Sequence, residues 1–80
     1  MKIYLKKLFF KASHRGTKEM DILLGNFANK QLESMTDNDL ALFDELLDIS
    51  DPELYKWLTS VNEEIIPEKF RYLINKIANK

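Results

Sequence analysis

The stretch "HRGTKEMD", residues 14–21, concentrates the reactive side chains of this 80-residue chain. Arg15 carries a planar cation that can grip a carboxylate through two parallel hydrogen bonds. Gly16, one of two glycines, lets another backbone come close because it has no Cβ. Glu19 and Asp21 add carboxylates, and Lys18 lies just ahead of them. These types at a chain corner suit charge-assisted contact with another protein. They do not suit catalysis by the chain itself. His14 is the only histidine, there is no cysteine, and no hydrolase motif surrounds it. It reads as an exposed residue near a helix end. The two glycines stand apart, so they make no phosphate loop. The acidic run "DNDLALFDELLD", residues 37–48, places Ala41 and Leu42 where a calcium loop needs an oxygen ligand and a glycine. Its periodicity is that of a solvated helix face. The expectation is a binding protein with no metal and no stably bound cofactor, not an enzyme.

The elements that position these residues read as helices. Leu5, Leu8, Phe9 and Ala12 fall at i, i+3, i+4 and i+7, one helix face. Met20, Leu23, Leu24 and Phe27 repeat the spacing, as do Leu54, Trp57, Leu58 and Val61, and Phe70, Leu73, Ile74 and Ile77. Leu40, Phe43, Leu46 and Leu47 form a further face. The boundaries carry chemical signals. Gly16 suits a left-handed helix end, and Thr36 suits an N-cap with Asp39 three residues on. "SDPE", residues 50–53, offers Ser50 or Asp51 as N-cap, and Pro67 with Glu68 opens the last helix. The spacing predicts helices near 2–13, 17–33, 37–48, 52–60 and 67–78, with Gly25 as a place for a bend. Connections this short require neighbours to fold back on one another. The expected fold is all-α: one domain over residues 1–80, a compact bundle of about five short helices. Phe9, Leu24, Phe27, Phe43, Leu47, Leu54, Trp57, Leu58, Phe70 and Ile74 are expected in its core. Tyr55 and Lys56 point away from the Trp57 face and are available for contact. On spacing and capping alone, "RGTKE" is a helix corner whose Arg15 and Glu19 suit the helix dipoles. They would also form an exposed ion pair worth at most about 1 kcal/mol.

Apolar residues make up 45 % of the chain and charged residues 31 %, an ordinary globular profile. The formal net charge of −1 hides a division. Lys2, Lys6, Lys7, Lys11, Arg15 and Lys18 come first, with no acid among them. Between Glu19 and Glu53 only Lys30 is basic. Lysines at 6 and 7 break the apolar stretch a secretory signal needs, and no run reaches the roughly 18 apolar residues of a membrane span. Membrane insertion is not expected. The basic first helix raises nucleic-acid binding as the alternative function. Against it, the acidic middle repels phosphate, and the third helix carries Asp and Glu rather than base-reading Arg, Asn or Gln.

"RGTKEMD", then "LLGNFA", then "DPELYKWL" together resemble the SdhE family, also called succinate dehydrogenase assembly factor 2. The shared features are an Arg-Gly-x-x-Glu-x-Asp motif, a Leu-Leu-Gly-x-Phe-Ala segment and an Asp-Pro-acidic-Leu-aromatic-x-Trp-Leu segment, in the family's order. The resemblance covers roughly residues 10–60. It implies a small helical assembly chaperone that binds the flavoprotein subunit of succinate dehydrogenase and, in bacteria, of fumarate reductase. Such a protein promotes covalent attachment of FAD to a histidine of that partner. The family's motif maps onto Arg15, Gly16, Glu19 and Asp21, and the resemblance implies that this surface, with His14 and Tyr55, binds the flavoprotein near its flavin. His14 stands where family members often have a second arginine, and Tyr55 lies in the third segment. The start of the chain, directly on the first helix, favours a bacterial cytoplasm; a processed form in the mitochondrial matrix would look similar.

Overall fold

A computed structural model describes residues 2–79. Its helices are α1 (Ile3–Ser13), α2 (Lys18–Gln31), α3 (Asp37–Leu47), α4 (Asp51–Thr59) and α5 (Glu68–Ile77), with 3-10 turns at Leu32–Ser34 and Glu63–Ile65. No strand occurs among the described residues. The expected all-α bundle of five short helices is the one that forms.

Side-chain caps open two of the helices. The Thr17 hydroxyl accepts from the Met20 N–H at 3.3 Å and caps α2. Thr36 does the same for α3, accepting from the Asp39 N–H at 3.1 Å. Each uses a short side-chain oxygen to satisfy an N–H that has no partner within its helix. Glu19 and Asp21 in the first turn of α2, and Asp37 and Asp39 in that of α3, face the positive helix end. Asn79, just beyond α5, adopts φ 59°, the left-handed C-terminal conformation that asparagine tolerates.

The buried faces follow the 3.6-residue period. Leu5, Leu8 and Ala12 of α1 meet Met20, Leu24, Phe27 and Ala28 of α2. Phe43, Leu46 and Leu47 of α3, Leu54, Trp57 and Leu58 of α4, and Phe70, Leu73, Ile74 and Ile77 of α5 complete one core. Phe27 and Phe43 rings lie 5.4 Å apart, and Trp57 packs on Phe70 at 5.9 Å. Among the described residues no charged or polar residue is buried in the core.

The structure corrects several expectations. Gly25 does not bend α2, which runs unbroken over it. There the missing side chain lets α1 approach: an added Cβ would lie 3.3 Å from Ser13 Cβ. The second helix stops at Gln31, and its last turn tightens into the 3-10 turn, a common helix ending. α4 ends at Thr59, which leaves Val61 outside the helix and 99 % exposed instead of on the Trp57 face. In its place Ile66, beyond the second 3-10 turn, fills the core. Pro67 is the residue before α5 and not its first residue. Phe9 is only half-buried, at the rim of the core, and Leu23 is exposed.

Candidate functional site

The motif residues meet at the corner between α1 and α2, and the structure pins that corner to the link between α3 and α4. The Arg15 guanidinium carries the load. Its Nε donates to Asp51 Oδ1 at 2.7 Å, Nη2 donates to the Ile49 carbonyl at 2.7 Å, and Nη1 donates to the Leu47 carbonyl. Leu47 ends α3, so its carbonyl has no partner within its own helix. A cation there also matches the negative helix end, while Asp51 at the start of α4 matches a positive one. Side-chain exposure is 10 % for Arg15 and 15 % for Asp51, so this pair is largely withdrawn from water. Lysine, whose three donors share one nitrogen, could not span the three separated acceptors of this fork.

Gly16 completes the clamp. Its N–H donates to Asp51 Oδ2 at 2.6 Å, and the site where a Cβ would stand lies 2.9 Å from the same oxygen. No glycine has a positive φ among the described residues, so the expected left-handed turn is not why glycine is there. The reason is space: the corner backbone closes onto a carboxylate that Arg15 already holds. Asp21 works on the same corner, where its Oδ1 accepts from the Arg15 N–H. The expected Arg15–Glu19 ion pair is not made, because Asp51 takes the guanidinium.

Glu19 is exposed, and its carboxylate has no partner among the described residues. It borders a shallow, mostly apolar groove of about 340 Å³ lined by Thr17, Glu19, Met20, Asp51, Pro52 and Tyr55. Tyr55 is 50 % exposed on that groove, so α2 and α4 bring Glu19 and Tyr55 to one surface. His14 is exposed at the end of α1, where its ring stacks on Phe10 at 3.9 Å and Nδ1 lies 3.0 Å from the Phe10 carbonyl. A larger groove of about 550 Å³ lies at the other end of α1, lined in part by Lys2, Tyr4, Glu33 and Asp37, and holds none of the motif residues. The residue that sequence reasoning underrated is Asp51, seen only as a cap. Its one signal is that the "DPELYKWL" segment accompanies the Arg-Gly motif. The Leu47 and Ile49 carbonyls leave no signal at all, since any residue supplies one.

The corner therefore has two layers. Arg15, Asp21 and Asp51 brace it from within, while Gly16, Glu19 and Tyr55 lie at its surface. The arrangement presents one free carboxylate beside an apolar groove on a rigid support, a geometry that can bind a cationic and apolar segment. Among the described residues no group of three or more His, Cys, Asp or Glu could hold a metal ion. No helix among them is long and apolar enough to cross a membrane.

Several curated proteins are similar to this chain over most of its length. FAD assembly factor SdhE of Coxiella burnetii is 40 % identical over 74 residues, covering 90 % of this chain and 85 % of that protein. FAD assembly factor SdhE of Acetobacter pasteurianus is 43 % identical over 53 residues, 66 % of this chain and 49 % of its own length. Succinate dehydrogenase assembly factor 2, mitochondrial, of Dictyostelium discoideum is 33 % identical over 73 residues, 91 % of this chain and 50 % of its own. The chain thus spans about half the length of several curated relatives it matches. No solved structure matches it. The family model described as "Flavinator of succinate dehydrogenase" matches residues 6–80, and the chain belongs to that family.

Proposed function

We propose that this chain is an assembly chaperone that binds the flavoprotein subunit of succinate dehydrogenase and promotes covalent attachment of FAD to it. Family membership and the assembly-factor names of its relatives support the reading. The observation that carries it is the braced corner. The segment from Arg15 to Asp21 is divided into residues that hold a shape and residues that face outward. In this reading Arg15, Asp21 and Asp51 are positioning residues. Gly16, Glu19 and Tyr55 touch the partner, and His14 lies at the edge of the contact.

The chain performs no bond-making step of its own. The flavin–histidine bond forms within the flavoprotein, and FAD is that reaction's substrate, not a resident group of the chaperone. The contribution is geometric. A rigid corner pressed against the immature flavoprotein holds flavin and histidine in reacting alignment, which lowers the entropic part of the barrier. A docking surface that is partly polar also lets the chaperone leave afterwards. The flavoprotein of fumarate reductase is a second client under the same reading.

Complementation tests this directly. Cells lacking their own factor receive this chain, or its Arg15→Ala, Gly16→Ala or Glu19→Gln variant, and covalent flavin on the succinate dehydrogenase flavoprotein is measured. The wild-type chain restores the signal and the variants lose it. Full restoration by all three well-folded variants would sink the proposal. Salt-sensitive retention on a generic DNA duplex, with no flavoprotein binding, would favour the nucleic-acid alternative.

A further inference from the structure

The corner alone is a small contact. A stable interface covers about 800 Å² on each partner, some 20–30 residues. The outward side of α1 supplies the missing area. Leu5, Leu8 and Ala12 turn one side of that helix into the core. At 3.6 residues per turn, Ile3, Phe10 and His14 share the opposite side. Ile3 is 74 % exposed and Phe10 60 %, unusual for large apolar side chains on a well-packed helix. Phe10 is held flat against His14, with the ring planes 14° apart. Lys6 and Lys7 flank this ridge, one on each side. Both are exposed, and neither side chain has a partner among the described residues.

We propose that this ridge continues the docking surface of the corner. On the flavoprotein subunit, an apolar groove rimmed by carboxylates takes Ile3 and Phe10 as anchors and pairs with Lys6 and Lys7. The inference rests on the assembly-chaperone reading. Three observations argue for it. The ridge leads toward the motif, because the exposed His14 ends the Phe10 stack and stands two residues before the exposed Gly16. The charged side chains on the ridge itself, Lys6 and Lys7, are both basic. Its two anchors stand seven residues apart on a narrow stripe, the spacing of a helix face seated in a protein groove. A lipid surface would call for a broader apolar face.

The test titrates the purified apo flavoprotein subunit of succinate dehydrogenase with wild-type chain and with two surface variants. These are Phe10→Ser and the double reversal Lys6→Glu with Lys7→Glu; Glu19→Gln serves as the corner reference. Circular dichroism checks that each is folded. Phe10→Ser weakens binding about tenfold or more, the scale of a buried aromatic anchor. The double reversal weakens it further and removes most of the salt dependence. Wild-type affinity in both ridge variants, with Glu19→Gln weakened, overturns the ridge and leaves the corner standing. No binding by the wild-type chain overturns both readings together. Binding to phosphatidylglycerol vesicles that Phe10→Ser abolishes, with flavoprotein affinity unchanged, overturns it in favour of a lipid surface.

Discussion

Asp51 touches the Arg15 guanidinium with one oxygen and the Gly16 N–H with the other, so three residues share one geometry. Breaking such a pair leaves a charge stranded in a largely dry site. Arg15→Ala therefore lowers stability by about 2–3 kcal/mol, read as the shift in urea midpoint. Arg15→Lys recovers only part of this, because one ammonium cannot serve a carboxylate and two carbonyls together. Gly16→Ala pushes the Asp51 carboxylate off its 2.6 Å bond and costs about 1–2 kcal/mol. Glu19 behaves differently. Its carboxylate is free and adds only a dipole effect at the start of α2, so Glu19→Gln costs under about 1 kcal/mol. On the proposed function it is nonetheless expected to lose flavinylation. On the same reading, that split between stability and activity separates the residues that brace the corner from a residue that touches the partner.

At the scale of elements, two contacts decide how α1 sits. Against α2 the approach is set by Gly25, where an added Cβ meets Ser13 Cβ at 3.3 Å. Gly25→Ala trades helix propensity of about 1 kcal/mol against that tight contact and changes stability little. Gly25→Val overpacks the gap and destabilises by about 1–3 kcal/mol in thermal or chemical denaturation. Against α3 the tie is ionic. Lys11 Nζ donates to Asp44 at 2.6 Å and to Asp48 at 3.1 Å. The Asp44 hydrogen bond holds the Lys11 ammonium above its ordinary pKa of 10.5, although burial works against it. Tyr4, close to the same Asp44, is raised from 10.0 first by burial and then by that carboxylate's charge. Both groups keep their protons more tightly folded than unfolded. Their contribution is therefore whole below pH 10 and is lost as pH climbs past 10.0 and 10.5 toward the raised values. Melting temperature should fall over that alkaline range, and Lys11→Met should flatten the fall.

At the scale of the molecule, what was legible in the sequence was what depends on near neighbours. Apolar spacing marks all five helices because each buries one face, and Thr36 announces its cap because the group it caps lies three residues on. What depends on distant neighbours was not legible. Arg15 and Asp51 are 36 residues apart, and nothing local tells the arginine to ignore Glu19. Gly16 was readable as a required glycine but for another reason: its turn is ordinary, and the crowding comes from the far side of the bundle. The 3-10 turn before Ile66 stayed hidden because Val61 continues the apolar spacing of α4 although it lies beyond that helix. The division of charge is also a property of the whole. Lys11 is spent on α3, while Lys6 and Lys7 stay free on the outward side, so a nearly neutral protein keeps a basic ridge leading to its corner. The most direct test of the account uses purified components: apo flavoprotein subunit of succinate dehydrogenase, FAD and this chain, with covalent flavin followed over time. The account predicts faster covalent incorporation with the wild-type chain than without it, and no gain with folded Glu19→Gln. Equal incorporation with and without the wild-type chain would contradict it.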